Sequence, residues 1–195
     1  MYKRQVFDLS RQAAAGGDGL TLQLDFLPGW SRQEVMAWLE RQRQVLSRQE
    51  AGALLTGGVH PRLGRMLCKA AGISGGQPVS ELTDRQRGNL LGECDLIESF
   101  LYYNDIGAMS RFHRSASRQM TRQAVSIQSH GSWTFGSPSV LMMFHRTPGQ
   151  LDRELADMDE CMPHYYKITG GHGMGAQRIM EGEAALARGR LNDGA

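Results

Sequence analysis

A chain of 195 residues has room for one or two domains and a sizeable core. Its 41% apolar and 22% charged residues lie near the averages of folded domains, which argues against disorder, and no apolar run approaches the roughly 20 residues of a membrane-spanning helix. A net charge of +2 with both signs interspersed gives no basic stripe for nucleic acid. Arg11, Arg32, Arg41, Arg43 and Arg48 alternate with Gln and Glu and read as a solvated helix face. Cys68, Cys94 and Cys161 are odd in number and widely spaced, so free thiols in a reducing compartment, the cytoplasm, are expected. No segment has the basic, apolar and small-residue order of a signal peptide.

Residues 1–5, MYKRQ, read as the translation of a sequencing-adapter end and are set aside. A segment GLTLQLDFL, Gly19 to Leu27, alternates with period two and predicts one short strand near 20–27. Ser31 followed by Glu34 is a capping box, opening a helix with Val35, Trp38, Leu39, Val45 and Leu46 on one stripe. Ser47 and Glu50 repeat the box before AGALLTGG, where Gly57 and Gly58 stop a short helix. Pro61 sits in the first turn of the next helix, and Gly72 ends it.

A Gly/Pro/Ser connector leads to Thr83 or Asp84, either of which can cap a helix carrying Leu90, Leu91, Leu96, Ile97, Phe100 and Leu101 up to Tyr103. Asn104 breaks it, and helical periodicity restarts at Gly107. Ser126 to Ser137 reads as a loop, with Ser137 a cap and Pro138 the first turn of PSVLMMFHR. Thr147 and Pro148 then supply a cap and first-turn proline for a long helix that Pro163 kinks or shortens. The turns at Asn104, Gly149 and Gly189 recur 45 and 40 residues apart, with Ile106, Leu151 and Leu191 packing them, as helical-hairpin repeats would. GRLNDGA stops where a partner helix would follow, so truncation at both ends is expected.

Candidate chemistry concentrates near the end of the long helix. TGGHGMGAQ, with Gly170, Gly171, Gly173 and Gly175, has the glycine content of a phosphate cradle, but it follows a helix rather than a strand and no G-x-x-x-x-G-K-[ST] occurs. The alternative is a helix-to-helix turn, with Met174 and Ile179 returning the chain to the core. Cys161, His164 and His172 with Asp157 and Glu160 suggest a metal site but lack a matching ligand pair. His113, His130 and His145 carry no partner pattern, and FGSPS around Ser137 lacks a hydrolase elbow. Met109, Met142, Met143, Met158, Met162, Met174 and Met180 read as helix-interface fillers. Trp133 and Phe135 are core plugs or a ligand-contacting pair. Six residues stand as candidates for contacting a ligand or partner: Trp133, Phe135, His145, Tyr165, Tyr166 and His172. No catalytic, cofactor-binding or metal residue is assigned.

From WTFGSPSVLMMFHRTPGQLDRELADMDECMPHYYK through ALARG, preceded by ESFLYYNDIGAMSRFHRSA, the chain resembles the helical-repeat region of large LuxR-type transcriptional regulators, the group that includes the maltose-regulon activator. The resemblance covers roughly Leu90 to Gly189 and rests on packing and turn residues. It implies an all-α fold of TPR-like antiparallel hairpins stacked in a right-handed superhelix over residues 80–195, with residues 6–79 a helical segment leading in. It further implies the sensory arm of such a regulator, without enzyme activity or a cofactor of its own. That arm would bind an effector or protein partner, self-associate in the full-length protein, and reach DNA only through a domain outside this chain. Two other readings stand beside it: a free-standing repeat module that binds proteins, and a nucleotide- or metal-using enzyme built around Cys161 to Gly175.

Overall fold

The structure is a computed structural model, and it describes residues 21–22, 30–47, 61–73, 81–102, 105–127 and 139–190. Among these the fold is all-α: seven helices and one two-residue antiparallel strand pair, β1 (Thr21–Leu22) with β2 (Trp30–Ser31). The helices are α1 (Arg32–Leu46), α2 (Pro61–Ala71), α3 (Asp84–Leu101), α4 (Ile106–Gln119), α5 (Val140–Phe144), α6 (Leu151–Thr169) and α7 (Ala176–Ala187). The expected strand is thus met at Thr21 and Leu22, and its remaining residues lie outside the described ones. No described helix is long and apolar enough to cross a membrane.

Helix starts follow local chemistry. Glu34 N–H reaches the Ser31 hydroxyl at 3.3 Å while the Glu34 carboxylate takes the Ser31 N–H at 2.7 Å, so two donors orphaned at the helix start are satisfied together. Thr83 makes the same box with Gln86 at 3.3 and 3.0 Å. At α4 the cap is Asp105, whose carboxylate accepts from Ala108 N–H at 2.9 Å. Gly72 closes α2 as expected, with Ile73 N–H on the Cys68 carbonyl at 2.9 Å.

Two expected starts are displaced. The α5 cap is Ser139, accepting from Met142 N–H at 3.0 Å, rather than Ser137 with Pro138. Thr147 and Pro148 do not open α6: Gln150 N–H turns back on the Thr147 carbonyl at 3.1 Å, and Gly149 at φ 82° cannot belong to a right-handed helix. α6 therefore begins at Leu151 and runs through Pro163 to Thr169. The expected helix from Ser47 and Glu50 falls on residues outside the described ones, apart from Ser47, which caps the end of α1.

Helix α3 organises the interior. Leu90, Cys94, Ile97 and Leu101, spaced by three and four residues, face Val35, Trp38, Leu39 and Leu46 of α1 and Met66, Leu67 and Ala70 of α2. Leu96 faces the other way, into a cluster with Ile106, Met109, Met143, Phe144, Met158, Met162, Ile168 and Met180. Each fully buried leucine contributes about 1.5–3 kcal/mol of apolar transfer. Gly88 and Gly92 let α4 approach α3 closely. A β-carbon at Gly88 would meet the Gln119 carbonyl at 2.8 Å, and one at Gly92 would collide with the Met120 side chain.

The polar ridge of α3 ties down the segment that follows α4. Asn89 Oδ1 accepts from Thr121 N–H at 2.8 Å, and the fully buried Glu93 accepts from Val125 N–H at 2.5 Å and from the Ser126 hydroxyl. Burial pushes the Glu93 carboxyl above the usual carboxylate range, against the hydrogen bonds from Ser126 and Val125 and the charge of Arg122. Arg43 leaves the solvated face expected of it and enters an ion cluster with Asp95 at 2.9 Å and Glu98 at 2.5 Å. Arg32 and Arg41 are exposed, while Arg11 and Arg48 lie outside the described residues.

α3 and α4 run antiparallel, since His113 lies against Ser99 and Gln119 against Asp95. α4 and α6 run parallel: a β-carbon at Gly107 would meet Asp157, His113 contacts Cys161, and Ser117 contacts His164. α7 folds back along α6, with Arg188 on Asp152 at 2.7 Å, and the Glu183 carboxylate takes the Leu141 N–H of α5 at 2.7 Å. The five residues of α5 against the nineteen of α6 do not make the paired helices of a TPR-like hairpin. Ile106 is buried as a turn-packing residue, Leu151 partly so, and Asn104 and Leu191 lie outside the described residues.

Candidate functional site

Between α6 and α7, Gly170, Gly171, Gly173 and Gly175 hold φ values of 68°, 88°, 71° and 96°. Side chains with a β-carbon rarely adopt that backbone, so four glycines are what lets a turn this tight follow directly on a helix. Gly171 N–H closes onto the Tyr166 carbonyl at 3.0 Å. The first N–H groups of a following helix are where a phosphate cradle would leave donors open. Here the Tyr166 hydroxyl occupies that position, accepting from Gly175 N–H at 2.9 Å and donating to the Gln177 side-chain oxygen. The loop is a turn closed by a phenol. Ala176 and Met180 return the chain to the core, whereas Met174 and Ile179, expected in that role, are 73% and 44% exposed.

Beneath the turn lies a buried chain of polar groups. Ser99 donates its hydroxyl proton to the Leu96 carbonyl at 2.6 Å, which leaves its oxygen to accept from His113 Nε2 at 2.9 Å. His113 thus carries its proton on Nε2, and Nδ1 accepts the Cys161 thiol proton at 3.0 Å. Every member has one direction open to it, and the chain is satisfied end to end. Burial, then the charge of His164, pushes His113 down to about 3; burial, then Asp157, pushes the Cys161 thiol up to about 12. A thiol with so little thiolate and an imidazole that does not accept a proton near neutral pH form neither nucleophile nor general base. With Cys161 at 0% and His113 at 2% exposure, the pair serves packing.

Of the residues proposed from sequence, three converge on this place. Tyr165 is buried, stacks on His113 at 4.9 Å between ring centroids, and shares a hydrogen bond with His172 Nδ1 at 2.9 Å. Burial, then Cys161, drives its phenol far above the usual tyrosine range. His172 is half-buried and lowered by burial, and Tyr166 caps α7. His145 is elsewhere: its Nδ1 lies 2.5 Å from Glu154 Oε2, at the junction of α5 and α6. Trp133 and Phe135 lie outside the described residues, as do His130 and Ser137. Tyr165, Tyr166 and His172 are thus brought together by ring stacking, capping and a shared hydrogen bond.

The residues weighed as a metal site but lacking a matching ligand pair point apart. Cys161 turns to His113, His164 to Ser117 at 2.8 Å, and His172 to Tyr165, and no cluster of metal-ligating groups occurs among the described residues. His113 and Ser99 were not singled out by spacing. Their one sequence signal is that His113 and Ser117 stand one helical turn apart, as do Cys161 and His164, which only the parallel contact of α4 with α6 turns into pairs.

Residues 5–96 match the family described as HI0933-like protein barrel and H2TH domain. No curated protein and no solved structure matches the chain. The matched stretch holds β1, β2, α1, α2 and most of α3, somewhat under half the chain. This match overturns the LuxR-type assignment and the TPR-like sensory arm that came with it. The segment read as a lead-in to a repeat array carries the pattern of a different family, and the resemblance rested on turn and packing residues that many helical chains share. The repeat-module alternative falls with it.

Proposed function

We propose that the chain is a non-catalytic helical scaffold belonging to a flavin-associated, oxidoreductase-type protein of the HI0933-like kind, working in a reducing compartment. The single observation that carries the reading is the family match over residues 5–96. Two features support a scaffold role. The polar groups that could do chemistry, Ser99, His113, Cys161 and Tyr165, are buried and committed to one another. Cys94 and Cys161 are free thiols enclosed in the core.

The described residues do not fit a flavin phosphate: the glycine loop spends a helix-start donor on Tyr166, and it follows α6 rather than a strand. The flavin of such a protein would be held by other parts of it. Titration of the purified chain with flavin mononucleotide and flavin adenine dinucleotide, followed by flavin fluorescence, is expected to show no saturable binding. Stoichiometric binding of either one would sink the scaffold assignment.

A further inference from the structure

The exposed edge of the α4–α6 contact gathers cations that no other part of the fold explains. Arg114 and Arg118 project from α4, His164 and Lys167 from α6, and Ser117 lies between them. Lys167 gives one of its three donors to the Ser117 carbonyl at 2.7 Å, which suits the negative end of α4 and leaves two donors open. Arg114 pairs with Glu160, yet its Nε is buried without an acceptor. Neither Arg118 nor Lys167 has a carboxylate partner among the described residues.

We propose that this basic edge, formed by Arg114, Arg118, His164 and Lys167 around Ser117, binds a small phosphate-type oxyanion. Like charges held this close repel one another, and a bound anion relieves that repulsion while filling the open donors. His164 registers the crowding: burial first, then Arg114, Arg118 and Lys167, hold it below the ordinary histidine range. The groups facing it are Arg114, Arg118 and the neutral His113 on α4, with Glu160 and Lys167 on its own helix.

Ser117 is a relay suited to either state. With His164 neutral, the hydroxyl donates to Nδ1 at 2.8 Å. With His164 protonated, Nδ1–H donates to Ser117 Oγ, and the hydroxyl turns to the Arg114 carbonyl at 3.3 Å. Nε2–H then faces the anion. Anion binding and proton uptake by His164 are therefore linked: at constant charge on the anion, binding strengthens as pH falls through the titration of His164, which lies below the ordinary histidine range in the free chain.

The test titrates the purified chain with inorganic phosphate and, separately, glycerol phosphate, at fixed ionic strength, following the His164 ring protons by NMR from about pH 5 to about pH 8. Expected are a saturable shift with at least one of the two, a His164 pKa raised by about one unit in the complex, and affinity about tenfold weaker in Arg118→Gln. Arg118 is exposed, so the variant should fold; Arg111→Gln, about two turns away, should bind as the wild type does. A response to the free ion alone assigns inorganic phosphate, and one to the monoester assigns a phosphorylated small molecule. No His164 response to either, an equal response to chloride, or unchanged affinity in Arg118→Gln overturns the site.

Discussion

On its two sides α3 meets two different interiors. Toward α1 and α2 it presents Leu90, Cys94, Ile97 and Leu101 to leucine, valine, tryptophan and alanine. Toward α4 and α6 it presents Leu96 among methionines and, beside it, Ser99 bonded to His113. The first interior is held mainly by apolar transfer, which is itself indifferent to pH and tolerant of register, with the Arg43–Asp95–Glu98 cluster tying α1 to α3 beside it. The second contains a chain of hydrogen bonds, with each proton assigned, and it stays intact only while His113 is neutral. One helix can thus serve a core that specifies little and a core that specifies a single arrangement.

The largest expected separation between the two sides comes from acid. His113 sits at about 3 when folded and near 6.5 when unfolded, so the unfolded chain takes up the proton first. The stabilisation is complete above about pH 6.5 and fades as pH falls toward 3, by on the order of 4 kcal/mol. Urea unfolding at several pH values, compared with His113→Gln, checks this. The wild type should lose more stability between pH 6.5 and 4 than the variant, and matching slopes would mean that His113 is not the buried titrating group.

Leu39→Ala probes the apolar side. At 0% exposure Leu39 should lose about 3 kcal/mol on truncation, read as a lower urea midpoint, with the wild-type pH slope retained. A changed slope would show that the two interiors are coupled through α3 more tightly than their separate clusters indicate.

The smallest effect is expected at the surface end of the second interior. Tyr166→Phe removes the hydroxyl that meets Gly175 N–H and should cost about 1 kcal/mol, with faster amide exchange confined to the start of α7. Unchanged exchange at Gly175 and Gln177 would remove the phenol from its capping role.

How far sequence reached is clearest at particular residues. Ser31, Thr83 and Gly72 were legible because a cap involves atoms three to five residues apart, and local chemistry is complete within that span. The start of α6 was misplaced by three residues because Thr147 and Pro148 suit a turn as well as a helix start, and the conformation of Gly149 decides between them. Arg43 was read as solvated because its carboxylate partners lie 52 and 55 positions away. The family likeness drawn from turns and packing stripes misled for a related reason: such residues report that helices pack, which is common to many folds.

By itself, the sequence determined that the chain is helical, where α1 to α3 begin, where α2 ends, and that the glycines at 170 to 175 let one helix give way to another. Only the tertiary structure decided what meets what. Ser99, His113 and Cys161 are separated by 14 and 48 positions. They become one hydrogen-bonded chain because α3 runs antiparallel, and α6 parallel, to α4. The same parallel contact brings His164 and Lys167 of α6 onto Ser117 of α4. Spacing along a chain encodes which face of a helix a residue occupies, and the direction in which two helices pack is set by the sum of many weak apolar contacts that no single residue announces.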